Sequence, residues 1–159
     1  MKAWIKAILV LPFNVVVVIP FLILYFSDYV YVAPSVWQSV FGVILLVSGL
    51  SLAIWTMFLF HRIGKGTLAP WAATTHLVVE GPFKYTRNPM IIGILAILTA
   101  EALILNSIYV FYWMAIFFLI NCVYFKLFEE KQLEKKFGEE YLAYKKNVPM
   151  WFPCLRGKK

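Results

Sequence analysis

The sequence predicts an all-α, polytopic membrane helix bundle: four transmembrane helices, a long cytoplasmic loop and an amphipathic C-terminal helix. Three observations carry that prediction. Charged residues make up only 14% of the 159 residues, and 62% are hydrophobic, whereas soluble domains carry about 25% charged residues. Apolar stretches recur at about 7–26, 37–60, 90–106 and 108–125. All fifteen Lys and Arg residues fall on one side of that four-span plan. Lys2 and Lys6 precede the first span; Arg62, Lys65, Lys84 and Arg87 separate the second from the third; the remaining nine, Lys126 through Lys159, follow the fourth. By the positive-inside rule, both termini and the central loop are cytoplasmic.

The first span, Ala7 to Phe26, has no charged residue. At about 1.5 Å per residue it covers roughly 30 Å, one hydrocarbon thickness. It is longer than a signal-peptide core and lacks a small-residue cleavage site, so it reads as a span. Pro12 and Pro20 predict a kink within it, since neighbouring helices can satisfy the freed carbonyls. In the second span, Gly42, Ser48, Gly49 and Ser51 are small enough to let helix backbones approach closely in lipid, which marks the central packing helix. Pro89 suits the first turn of the third helix, where its missing N–H costs nothing. A tight turn at Asn106-Ser107 makes the third and fourth spans an antiparallel hairpin. Asn121 is expected to bond across helices, and Glu101, at the outer end, is given an interfacial, non-catalytic role. The short loops fit a prokaryotic inner-membrane protein.

The tail 129–159 reads as amphipathic. Leu133, Phe137, Tyr141, Tyr144 and Val148 recur at spacings of four, four, three and four, one face of a helix. Lys131, Lys135, Lys145 and Lys146 lie mostly off that stripe. Gly138 divides the tail into two helices, and Pro149 and Pro153 end it. Such a helix lies on the bilayer surface or folds against the spans.

Several function classes are excluded. The net charge of +7 sits beside the spans, where it sets orientation and meets anionic lipid, so no nucleic-acid partner is expected. His61 and His76 are the only histidines, and no cluster has metal-ligand spacing. Gly64-x-Gly66 follows no strand and is no dinucleotide fingerprint. Cys122 and Cys154 stand at different membrane depths, against a disulfide. Repeats and a second domain are absent, so residues 1–159 read as one domain. The sequence assigns no oligomeric state.

The polar groups converge at the cytoplasmic mouth of the last hairpin: Arg87 enters the third span, and Glu129-Glu130 leave the fourth. Charges so near hydrocarbon are costly unless paired, and are functional candidates by default. The first block reads His76-Leu77-Val78-Val79-Glu80-Gly81-Pro82-Phe83-Lys84-Tyr85-Thr86-Arg87-Asn88-Pro89, then Met90-Ile91-Ile92-Gly93. After a two-span spacer come Glu129-Glu130-Lys131-Gln132-Leu133, Phe137-Gly138, Tyr141, Tyr144, Val148-Pro149-Met150 and Pro153. These blocks resemble the membrane methyltransferases related to isoprenylcysteine carboxyl methyltransferase and the phospholipid N-methyltransferases. The resemblance covers residues 76–153. It departs from the family pattern at Asn88, where many members have His, at Ile91, where Tyr is usual, and at Met150, where Arg is usual.

The resemblance implies S-adenosylmethionine as methyl donor and a lipid-like or amphiphilic small molecule as acceptor, entering sideways from the bilayer. It implies that Arg87 and Glu130 are catalytic, orienting donor or acceptor. His76, Leu77, Val78, Gly81, Tyr85, Asn88, Pro89, Glu129, Tyr141 and Tyr144 are then expected to form the cofactor pocket. Aromatic faces suit an adenine, and an arginine suits a carboxylate. Two other readings stay open. One is a membrane reductase using a nicotinamide cofactor, because sterol-reductase-type proteins have a similar tail. The other is a non-enzymatic membrane protein with a degenerate site, suggested by Ile91 and Met150.

Overall fold

In the computed structural model, residues 9–64 and 75–151 are described, with side chains from Pro12 onward. They form helices and turns and, among the described residues, no strand. A π-helical stretch, Leu9–Val18, leads into α1 (Ile19–Phe26); then come α2 (Val36–Arg62), α3 (Pro89–Ile104), α4 (Ile108–Tyr124), α5 (Glu130–Phe137) and α6 (Glu139–Asn147). The prolines of the N-terminal apolar run lie where the helix departs from regular α geometry. Pro12 sits inside the π-helical stretch, and Pro20 opens α1. A widened helix is one way to accommodate a residue that can neither donate a bond nor clear the carbonyl of the preceding turn.

Two helices are long and apolar enough to cross a membrane: Val36–Arg62 and a continuous Ile108–Phe137, in which a π-helical turn, Phe125–Glu129, joins α4 to α5. The apolar helices Pro12–Phe26 and Pro89–Ile104 are shorter. At about 1.5 Å per residue, the 16 residues of α3 reach roughly 24 Å, less than a full hydrocarbon layer. Their outer faces are apolar and exposed, as at Ile44, Val47, Ile54, Leu119, Ile120 and Val123, which is the surface a protein in lipid presents.

The frame of the bundle is the contact between α2 and α3. Gly42, Gly49, Ala53 and Thr56 are buried along one stripe of α2. Gly93 and Ala100 oppose them from α3. A Cβ built on Gly49 would lie 2.7 Å from the Gly93 carbonyl oxygen, and one on Gly93 would lie 2.9 Å from the Gly49 carbonyl oxygen. Neither backbone could then approach as it does. Ser48 and Ser51, expected on the same face, are exposed and bond instead to Leu45 O and Val47 O of their own helix. The buried stripe has the seven-residue step from 42 to 49, which puts 48 and 51 on other faces.

α4 packs on α3 through Phe117 against Ile91, Ile94 and Leu98, with Val15 and Val16 of the N-terminal stretch beside them. The hairpin turn forms as the sequence indicates. Asn106 takes φ +49°, and Ser107 N donates to Ala102 O at 3.0 Å. Asn121 does not bond across helices; its side chain donates to Phe117 O, one turn back in α4, at 2.8 Å. A carbonyl within its own helix is the nearer acceptor. Gly138, at φ +54°, ends α5 and turns the chain into α6, which folds against the bundle with Tyr141 only 2% exposed. Pro153 and Cys154, and the loop residues 65–74, lie outside the described residues.

Gly49→Leu should collapse folded yield in detergent, because the added side chain meets backbone rather than a flexible neighbour. Ser48→Leu, on an exposed face, should shift the thermal midpoint by no more than a surface substitution does, and thermal unfolding of both variants measures the contrast.

Candidate active site

The site forms where the chain leaves α2, enters α3, leaves α4 and ends in α6. Leu59 at the end of α2 packs with Val78 and Phe83. Phe83 belongs to a short 3-10 turn, Gly81–Lys84, and its ring meets Phe60 edge-on at 5.2 Å. Gly81 permits that turn by taking φ +57°, with Leu59 and Trp55 close against its Cα.

The entrance to α3 is tied down by the chain's end. Arg87 N donates to Pro149 O at 2.9 Å, and the Thr86 hydroxyl donates to Met150 O at 2.9 Å. Asn88 reaches the same Met150 carbonyl at 3.4 Å. The Trp151 ring then stacks edge-on with Phe118 and Phe125. The tail is therefore a strap across the base of the bundle.

Against that strap lies an ion-pair network. The Arg87 guanidinium pairs with Glu130 Oε1. It also donates to the Tyr141 hydroxyl at 3.2 Å. Lys145 reaches Glu130 Oε2 at 2.6 Å and Glu134 Oε1 at 2.7 Å. The side chains of Arg87 and Glu130 are 11% and 9% exposed, so neither charge could be buried alone without a cost of several kcal/mol. Among the described residues Arg87 Nε is buried without a partner, and a buried guanidinium N–H in that state can still take an acceptor. The Tyr144 hydroxyl donates to Phe83 O at 2.7 Å. Lys145, which the sequence places off the apolar stripe, faces inward because Glu130 and Glu134, four residues apart on α5, offer it two carboxylates.

These groups enclose one cavity of about 430 Å³. Its polar lining includes Arg87, Asn88, Glu129, Glu130, Tyr141 and Tyr144, and its apolar lining includes Val15, Ile91, Ile94 and Phe117. Leu77, Val78 and Pro89 also line it. Three residues expected in the pocket do not line it. His76 is exposed, Tyr85 is 45% exposed, and Gly81 serves the turn. The 3-10 turn is the reason: it directs Phe83 inward and carries Lys84 and Tyr85 to the surface. Residues that sequence reasoning missed include Lys145, Tyr124 and Asn121. Lys145 was legible, one turn after Tyr141; the other two give no sequence signal inside an apolar span.

The site's electrostatics are set by burial. Burial in the cavity wall, beyond the apolar run of α4, pushes the Glu129 carboxyl from 4.5 up to about 7. Burial also raises the Tyr141 hydroxyl, partly offset by the Arg87 bond and charge, and raises Tyr144. The carboxylates Glu130 and Glu134 hold the Lys145 ammonium above its ordinary value.

A pH effect on stability follows. Glu129 binds its proton more tightly folded than unfolded, so its contribution is fullest below the unfolded value of 4.5 and is lost as pH rises through about 7. Glu129→Gln stays neutral throughout, so its thermal midpoint should exceed that of the parent by more at about pH 8 than at about pH 5. Tyr144→Phe leaves the Phe83 carbonyl without its donor and should cost about 1 kcal/mol in chemical unfolding.

A family model described as phospholipid methyltransferase matches residues 37–140. No curated protein and no solved structure matches the chain. The matched stretch spans α2 through α5, well over half of the chain, and includes Arg87, Glu129 and Glu130. With the cavity these residues line, it places the chain in the phospholipid methyltransferase family, a family of membrane methyltransferases.

Proposed function

We propose that this chain is an integral-membrane methyltransferase that takes its methyl group from S-adenosylmethionine and delivers it to a lipid-like or small amphiphilic acceptor. The N-terminal apolar run and α3 complete the crossing beside the two long helices. Both termini then lie in the cytoplasm, and the cavity mouth is at the inner leaflet of a prokaryotic inner membrane. One observation supports the reading above the others: the Arg87–Glu130 pair forms part of the wall of a cavity whose lining is otherwise largely apolar.

The residues fit the donor. A volume of about 430 Å³ lies within the range of small-molecule sites, about 300–1,000 Å³. Arg87 Nε, without a partner among the described residues, suits the carboxylate of the donor's amino-acid end. Tyr141 and Tyr144 have their hydroxyls engaged at Arg87 and Phe83, which leaves their rings as apolar surfaces for an adenine. Asn88 and the backbone at Leu77 and Val78 complete the polar wall. When bound, S-adenosylmethionine supplies an electrophilic methyl carbon on a sulfonium. The protein's task is then alignment and exclusion of water rather than strong acid catalysis. Glu130, fixed by Arg87 and Lys145, holds Arg87 in place. The apolar residues Val15, Ile91, Ile94 and Phe117 receive the acceptor's hydrocarbon.

Calorimetry in detergent should show binding of S-adenosylhomocysteine at micromolar concentration and none of NADPH. The reverse result would favour a nicotinamide-dependent reductase, and binding of neither would favour a non-enzymatic protein. Arg87→Lys keeps the charge beside Glu130 but removes Nε. It should weaken S-adenosylhomocysteine binding by about 10- to 100-fold, the value of a charge-assisted hydrogen bond, with little change in thermal midpoint. Equal loss of affinity and stability would mean that Arg87 is structural only.

A further inference from the structure

We propose that Glu129 takes the proton from the acceptor's nucleophilic atom, so that the acceptor arrives protonated, as an ammonium or a thiol, rather than as a carboxylate. The inference rests on the methyltransferase reading above and assigns a separate task to the second glutamate of the pair.

The two adjacent glutamates differ in their surroundings. Both line the cavity. In a regular helix, neighbours point about 100° apart. Here the π-helical turn Phe125–Glu129 widens the helix just before Glu130, and both side chains reach the same wall. Glu130 is committed: Arg87 takes one oxygen and Lys145 the other. Among the described residues, no side chain donates a hydrogen bond to Glu129 or pairs with it. The ionisable groups sharing its cavity are Tyr124 of α4, Arg87 at the start of α3, Glu130 and Lys136 of α5, and Tyr141 and Tyr144 of α6. Of these, Arg87 is paired with Glu130, the Lys136 ammonium lies over the Phe137 ring, 5.5 Å from its centroid, and the tyrosines are neutral. A carboxyl in that setting titrates at about 7, near the optimum for a base working at neutral pH.

The step balances. An N–H or S–H bond of the acceptor breaks, and its proton moves to a Glu129 oxygen. The electron pair stays on nitrogen or sulfur and forms the new bond to the methyl carbon, while the carbon–sulfonium bond breaks and its electrons pass to that sulfur. An ammonium acceptor becomes an N-methylammonium, and a thiol becomes a methyl thioether. The Glu129 proton returns to water at the cavity mouth. A carboxylate has no proton to give and would meet a second negative charge there.

Three acceptors sharing one alkyl chain test this: dodecylamine, dodecanethiol and dodecanoate, each with methyl-labelled S-adenosylmethionine. The parent protein should methylate the amine or the thiol, with a rate limb rising near neutral pH, and leave dodecanoate unmodified. Glu129→Gln should lose turnover by about 100-fold or more, well beyond any change in its S-adenosylhomocysteine affinity, and lose that limb; Glu129→Asp should restore part of both. Infrared difference spectra, parent minus Glu129→Gln, should show a protonated carboxyl band that fades between about pH 6 and pH 8; taking the difference removes the contribution of other partly buried carboxyls, Glu101 among them. Preferential methylation of dodecanoate, undiminished turnover in Glu129→Gln, or no such band overturns the assignment of Glu129 alone. Failure of the parent to bind S-adenosylhomocysteine overturns the methyltransferase reading itself, so the two failures are told apart.

Discussion

The buried pair between Arg87 and Glu130 is the constraint on which the rest of the site depends. Arg87 stands two residues before the start of α3, and Glu130 opens α5, forty-three positions later. Neither charge can sit at the base of an apolar bundle alone, because desolvation of an unpaired ion outweighs anything nearby packing returns. Their pairing therefore fixes how α3 and the α4–α5 helix meet at this end. Lys145 and Glu134 extend the network into α6, and the Tyr141 hydroxyl sits on Arg87. A tail that could have floated on the bilayer surface is instead drawn in.

A second feature makes that pairing possible. The backbones of α2 and α3 touch at Gly49 and Gly93, which holds the entrance of α3 close to the exit of α2. At the opposite end, Gln38 donates to Asn106 at 3.0 Å and Tyr29 donates to Leu105 O. The bundle is thus pinned at its far end and packed at its middle, while its near end stays open enough to leave a cavity. Helices in lipid gain little from apolar contact, so close packing and such polar ties carry the association. The cavity inherits its gradient from this arrangement: charged groups come from loop and tail, apolar groups from the spans.

How much of this the sequence made legible follows from where the signals lie. The apolar helices could be read because long apolar runs have few alternatives, and two of them, Val36–Arg62 and Ile108–Phe137, are long enough to cross a membrane. The α2–α3 contact was half legible: Gly42 and Gly49 were identified, but Ser48 and Ser51 were grouped with them because residue size alone does not assign a face. Arg87, Glu130, Tyr141 and Tyr144 were legible because charged and aromatic groups at a span's end need partners. His76, Gly81 and Tyr85 do not line the cavity; for Gly81 and Tyr85 the reason is the turn Gly81–Lys84, since a motif records residue order and not the outward swing of such a turn. Asn121 and Tyr124 could not be found, because an apolar helix has no strong period that says which side faces a hollow. The π-helical turn before Glu130 has no residue signature at all.

The central claim, that Arg87 and Glu130 act as one unit in the wall of the cavity, is tested most directly by a double-mutant cycle on unfolding in detergent. Arg87→Met and Glu130→Met should each be strongly destabilising, while the double substitution should cost little more than either, giving a coupling on the order of 2–3 kcal/mol. Losses that simply add would contradict the account.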